Sequence, residues 1–320
     1  MPSIRTPQVL GSTSLYAARP GALPARFRRE RILIVGCGDI GLRVARSLAR
    51  PVRVLALTSH SERSLELRQR GITPLTGNLD APDSLRRLAG LATRVLHLAP
   101  PPGEGRGDPR TLALIRALRL RRLPDAFVYG STSGVYGDCQ GQLATETRAL
   151  HADTARARRR IDAESGARLL GRSTAVRSSI LRIPGIYAPD RAGGTPRERL
   201  LRATPVLQAE DDVYTNHIHA DDLARACIAA LWRGRPQRIY NVNDDTRLKM
   251  GDYFDLAADL YGLPRPARLP RSTAKDQLPL MLLSFMSESR RMDNTRMKQE
   301  LRLQLRYPTV VAGLLPTARI

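Results

Sequence analysis

Lysine is nearly absent from this chain. Of 52 basic residues only Lys249, Lys275 and Lys298 are lysines, so 52 − 3 = 49 are arginines. Any mechanism that requires a lysine ahead of Lys249 is excluded. Aromatic residues make up 4% of the chain, too few for the stacking platforms that grip single-stranded nucleic acid. The three cysteines, Cys37, Cys139 and Cys227, are odd in number and far apart. They supply neither a disulfide framework nor a metal-binding spacing, and they suit a reducing cytoplasm. No apolar run approaches the roughly 20 residues of a membrane helix. The net charge of +22 lacks a Lys/Arg block to carry it, because the arginines are spread along the whole length. Such a spread reads as a general arginine bias, and no specific nucleic-acid partner is expected.

The chain does hold a regular alternation. Ile32–Val35 is a short continuous apolar run, as in a strand buried on both faces. A glycine turn follows, then Ile40, Val44, Ala45 and Leu48 at helical spacing, with Pro51 as the stop. "VRVLALT", "ITPLTGN", "TRVLHLA", "AFVYGST" and "SSILRIPGIY" read as further strands. Between them lie helices: "SHSERSLELRQRG" with Ser59 and Glu62 at capping-box spacing, "APDSLRRLAG", "DPRTLALIRALRLRR" capped by Asp108, and 153–170. The pattern predicts an α/β fold, a doubly wound parallel sheet with helices on both faces. After Tyr187 the alternation weakens, which predicts a smaller mixed α/β lobe. The expected division is a leader over 1–29 without regular structure, a dinucleotide-binding domain over 30–187 and a substrate lobe over 188–320. Parts of 214–245 are expected to return to the first sheet.

"GCGDIG" places Gly36, Gly38 and Gly41 as G-x-G-x-x-G between a strand and a helix. The first glycine permits the tight turn, the second lets backbone approach a pyrophosphate, and the third lets helix and strand pack closely. The amides of Asp39 and Ile40 then open a helix whose positive end favours phosphate. An acid about 20 residues on would grip the ribose 2′-hydroxyl of NAD. Thr58, Ser59, His60 and Ser61 stand there instead. Arg63 follows and suits a 2′-phosphate, which favours NADP over NAD.

"GCGDIG", "YGSTSGVYGD", "LRIPGIYAPDR" and "NHIHADDLARACIAAL" together resemble the extended short-chain dehydrogenase/reductase superfamily, in its NAD-dependent epimerase/dehydratase branch. The tail "SESRRMDNTRMKQELRLQLRYPTVVAGL" is similar to that family's closing segment. The likeness covers roughly residues 31–315, and its nearest subgroup is the atypical one with a degenerate active site. It implies a Rossmann domain holding a dinucleotide and a smaller lobe closing over a substrate, often a nucleotide sugar. It implies that Thr132 hydrogen-bonds the substrate oxygen, with Ser131 and Ser133 beside it. It implies that Asn78 and Leu79 touch adenine, that Leu98, Ala99 and Pro100 flank the cofactor, and that Pro184, Gly185 and Ile186 lie near the nicotinamide.

The family's chemistry also needs Y-x-x-x-K on one helix face, a tyrosine acid/base with a lysine beside it. With Glu164 as anchor, "DTARARRRIDAES" puts Arg156 at the tyrosine position and Arg160 at the lysine position. No change of register restores the pair, since no tyrosine lies between Tyr136 and Tyr187. Arginine stays protonated near neutral pH and cannot act as the acid. Arg160 remains suited to ribose hydroxyls or phosphate, Arg156 to an anionic substrate. Tyr136 is a replacement acid or, alternatively, a packing residue of its turn.

"NHIHADD" has the look of a metal cluster, but Asp221 or Asp222 capping the next helix explains it, and no metal is expected. Ser287, Ser289, Arg290 and Arg291 line the substrate side or form a surface charge run. Cys37 reads as a small filler in the glycine turn. Two functions follow. One is an NAD(P)-dependent oxidoreductase acting by hydride transfer on a small molecule. The other is a dinucleotide-binding sensor or scaffold that has lost turnover. A monomer or homodimer in the cytoplasm suits either.

Overall fold

The computed structural model describes residues 29–48 and 52–315. The leader expected over 1–29 lies, but for Arg29, outside the described residues, as does Pro51. In chain order the first half comprises β1 (Arg31–Val35), α1 (Asp39–Ser47), β2 (Arg53–Thr58), α2 (Arg63–Gln69), β3 (Thr73–Thr76), β4 (Arg94–His97), α3 (Pro109–Leu118), β5 (Ala126–Thr132), β6 (Leu143–Ala144), α4 (Ala155–Arg172) and β7 (Arg177–Ile183). The second half comprises β8 (Gly185–Tyr187), α5 (Arg197–Leu201), β9 (Val206–Leu207), β10 (His217–His219), α6 (Ala220–Arg233), β11 (Arg238–Asn241), α7 (Met250–Tyr261) and β12 (Arg268–Leu269). It closes with α8 (Arg271–Gln277), α9 (Leu280–Phe285), β13 (Arg291–Met292), α10 (Thr295–Glu300) and α11 (Val310–Leu314).

Seven strands form one parallel sheet in the order β11-β7-β5-β4-β1-β2-β3. The order reverses between β1 and β4, and in open α/β sheets the crevice at such a point, above the strand C-termini, takes the ligand. The alternation along β1 sorts the two faces. Ile32 and Ile34 join a core with Val44 of α1 and Ala226, Cys227 and Ala230 of α6. Leu33 and Val35 join the opposite core with Leu114 and Leu118 of α3 and Ala163 and Ala167 of α4. A third core, around Tyr253, Phe254 and Ala257 of α7, builds the smaller lobe.

Several local expectations need correction. "APDSLRRLAG" is helical as expected, and over Pro82–Leu88 the helix is of the 3₁₀ type. The Ser59–Glu62 capping box does not form. Residues 60–62 turn first, α2 starts at Arg63 without a side-chain cap, and the Ser59 hydroxyl pairs with His60 Nδ1 at 3.1 Å. "SSILRIPGIY" is two strands: Pro184 ends β7, and β8 pairs with β10 in a separate two-stranded sheet. Proline has no N–H to continue a ladder. Neither Asp221 nor Asp222 caps α6. His219 is the cap, its Nδ1 accepting the Asp221 N–H at 3.2 Å. Asp222 is fully buried and accepts the backbone N–H groups of Arg306 and Tyr307 at 3.0 and 2.8 Å. Among the described residues no helix is long and apolar enough to cross a membrane.

Candidate active site

The glycine turn sits at the switch point, and each glycine has a separate steric reason. Gly36 has φ +86°, and a Cβ there would stand 2.4 Å from the Ala99 amide nitrogen. The turn can therefore press against the end of β4, where Leu98 and Ala99 both donate to the Val35 carbonyl, at 2.7 and 3.0 Å. A Cβ on Gly41 would meet Ile34 Cγ2 at 3.1 Å and Cys37 Sγ at 3.3 Å, so α1 lies close on β1. A Cβ on Gly38 would meet nothing within 4 Å. Its backbone faces open space, the approach a pyrophosphate needs. No side chain caps α1, and its first backbone bond runs from the Leu42 N–H to the Gly38 carbonyl. The N–H groups ahead of it, Asp39 to Gly41, have no partner within the helix and are available to an anion. These residues fit a dinucleotide, which would supply a hydride acceptor or donor when bound.

Cys37 is buried in this turn, and burial raises its thiol to about 11. It stays protonated despite the helix end, as a filler would. The Arg63 guanidinium crosses from α2 and donates to the Cys37 carbonyl at 3.0 Å. Thr58 ends β2 next to the 77–78 loop, its carbonyl accepting the Gly77 N–H at 3.0 Å. Asn78 closes an Asx turn on the Asp80 N–H at 2.9 Å, and Leu79 packs on the core. Arg110 ties that loop to Asp80 and to the Pro100 carbonyl at 3.3 Å. The adenosine-side and β4-side residues expected from the sequence thus share one sheet edge.

The β5–α4 side is different. Ser131 is buried and donates to Glu164 Oε1 at 2.7 Å. Glu164 also holds Arg182 of β7, with Nε at 3.1 Å and Nη2 at 2.8 Å. The Arg182 guanidinium lies 4.7 Å over the Tyr136 ring. Tyr136 is fully buried and donates to Asn241 Oδ1 at 2.6 Å, while burial raises its hydroxyl above the ordinary range. In that position its hydroxyl is bonded to Asn241 and ties the turn to β11. Ser133 is also buried. Thr132 is half-buried, and its hydroxyl oxygen accepts the Gly134 N–H at 3.3 Å, which leaves its proton free to donate.

The two arginines of α4 diverge. Arg156 is exposed. Arg160 turns inward, and its Nη1 donates to the Tyr129 hydroxyl at 3.0 Å and the Gly130 carbonyl at 2.8 Å. Its buried Nε has no protein partner. Neighbouring Arg159, which the sequence did not single out, reaches the Gly105 carbonyl at 2.9 Å and fastens the loop after β4. No sequence pattern distinguishes it from the other arginines of that run.

Pro184–Ile186 lies beside His217, whose Cδ2 would stand 3.7 Å from a Cβ on Gly185. His217 is buried and held neutral, its pKa lowered by burial to about 4. Among the described residues no group of His, Cys, Asp and Glu could hold a metal. A cleft of about 440 Å³ opens beyond the 138–141 loop, lined by Tyr214, Lys249, Arg271, Ser287 and Ser289. Arg290 and Arg291 turn instead to the carbonyls of Gly137 and Gly141. Tyr214, Lys249 and Arg271 escaped sequence reading because they are scattered in the chain and meet only in the folded lobe.

The model of the NAD-dependent epimerase/dehydratase family matches residues 32–243. No curated protein matches the chain. Among solved structures, a conserved protein of unknown function from Silicibacter pomeroyi is 29% identical, with TM-score 0.73, covering 89% of this chain and 96% of its own. UDP-glucuronic acid 4-epimerase from Bacillus cereus, in complex with NAD, is 19% identical over the same shares with TM-score 0.70. UDP-glucose 4-epimerase from Thermotoga maritima, with UDP-glucose, is 18% identical, again over 89% and 96%, with TM-score 0.71. The last two likenesses are of fold.

Proposed function

This chain belongs to the NAD-dependent epimerase/dehydratase family, and from that premise we propose that it binds a nicotinamide dinucleotide, NADP in preference to NAD, and transfers hydride to or from a small, nucleotide-sugar-like substrate. The observation that carries the reading is the glycine turn, open in front of Gly38 and closed behind Gly36 and Gly41. Arg63 above the Cys37 carbonyl supports the 2′-phosphate. The B. cereus epimerase binds NAD and the T. maritima epimerase binds UDP-glucose, which supports the substrate class.

Thr132 orients the substrate by donating its hydroxyl proton to the reacting oxygen. That arrangement favours delivery of hydride to a carbonyl, because a donor at the oxygen stabilises the charge that develops there. Arg160, bonded to the Gly130 carbonyl of the same strand as Thr132, adds positive potential. Without a phenol at position 156 the proton balance falls to solvent. A sensor or scaffold role is the second reading, and the absence of a tyrosine acid favours it.

The test is a panel of nucleotide sugars and simpler carbonyl compounds, followed by the absorbance of reduced nicotinamide. Turnover that falls about a hundredfold or more in Thr132→Val supports the first reading, since one transition-state donor is worth about that much. Turnover that survives the substitution removes Thr132 from the chemistry. Tight cofactor binding with no turnover on any compound favours the sensor.

A further inference from the structure

The loop after β8 brings a cation to the glycine turn. Arg191 Nε lies 3.2 Å from Asp39 Oδ2, and its Nη1 donates to the Ile186 carbonyl at 2.8 Å. Asp39 opens α1, directly after Gly38. Arg191 therefore spans the two stretches that would bracket a dinucleotide, the N-terminus of α1 and the Pro184–Ile186 stretch that enters β8. Its own loop is closed by backbone bonds, Ala188 N–H to Gly194 at 3.1 Å and Gly194 N–H to Arg191 at 2.9 Å.

The second arginine of this cluster is fixed. Arg43, with a side chain only 5% exposed, pairs with Asp39 Oδ1 at 3.0 Å and with Asp190 and Asp221 at 2.6 Å each. The cluster sets three carboxylates against two guanidiniums, so one negative charge is in excess where an anionic pyrophosphate must arrive. Each of the three Arg43 guanidinium nitrogens is already bound to a carboxylate. Arg191 has one carboxylate partner and is 32% exposed. It can change partner while Arg43 keeps its own bond to Asp39.

We infer that Arg191 is a cofactor-binding residue that leaves Asp39 Oδ2 to take the pyrophosphate, so that the loop of the second lobe senses an occupied glycine turn. The assignment rests on the dinucleotide reading above and goes beyond it in naming a ligand outside the turn.

The experiment is a calorimetric titration of the full chain and its Arg191→Ala variant with NADP, ADP-ribose and adenosine. A lost charge-assisted contact weakens binding about ten- to a hundredfold. That loss is expected for NADP and ADP-ribose and not for adenosine, which lacks the pyrophosphate, and Arg191→Lys should recover part of it. The loss should persist in an Asp39→Asn background. Unchanged affinity of Arg191→Ala for NADP overturns the assignment. So does a loss that vanishes with Asp39→Asn, since Arg191 would then only mask Asp39. If the wild type itself binds neither NADP, NAD nor ADP-ribose, the dinucleotide reading fails and this one with it.

Discussion

Asp244 keeps its proton well above the ordinary carboxylate range. Burial is the largest cause, raising its carboxyl from 3.8 to about 7 against the opposing hydrogen bonds from Thr246. Its Oδ1 accepts the Thr246 N–H at 3.0 Å, and its Oδ2 has no protein partner. The folded chain therefore keeps a proton that the unfolded chain loses above 3.8. Between pH 4 and 7 the folded state binds more protons, so this residue lowers stability as pH rises, by about 3 kcal/mol across the window. His97 and His217, with pKa values lowered by burial to about 3 and about 4, work the other way, losing stability as pH falls below 6.5. Asp244→Asn removes only the first effect. The stability of this variant relative to wild type, from denaturant midpoints, should climb steadily from pH 4 to 7. A constant difference would show that Asp244 ionises normally in the fold.

Between elements, Glu164 is the tie that fixes α4 against β5 and β7. Its carboxylate and the Arg182 guanidinium are each about 1% exposed. Glu164→Gln strips the charge from a buried pair and leaves Arg182 without compensation, which costs about 3–5 kcal/mol. A fall of that size in unfolding free energy is expected. A change under 1 kcal/mol would mean that water reaches the pair. Element type was readable wherever it depends on neighbours in sequence. β5 runs over Ala126–Thr132, the "AFVYGST" that its apolar pattern marks, and Asp108 caps α3 by accepting from Arg110 and Thr111. Reading fails where distant partners decide. The capping of α6 passes to His219 because Asp222 is drawn to the amides of Arg306 and Tyr307 and Asp221 to Arg43. The pairing of β6 with β13, Leu143 opposite Arg291, has no local signature at all.

Over the whole molecule, the arginine excess is partly absorbed into the fold. Arg43, Arg94, Arg159 and Arg182 are buried, and Arg110, Arg238 and Arg268 are committed to carboxylates. These seven side chains direct their charge to internal partners. The same long-range pairing hid half of the site. The glycine turn was legible because its three glycines stand at a fixed spacing between a strand and a helix that are adjacent in sequence. The cluster around Arg43 was not, since Asp190 and Asp221 lie 147 and 178 residues away from it. Nor could the sequence show that Tyr136 is enclosed by Arg182 and Asn241, since both are distant from it in the chain. The central claim, a dinucleotide seated on the glycine turn, is tested most directly by titrating the purified chain with NADP and with NAD in a calorimeter. The account predicts one equivalent bound, NADP more tightly than NAD, and an advantage that disappears in Arg63→Ala. No binding of either dinucleotide at millimolar concentration would contradict it.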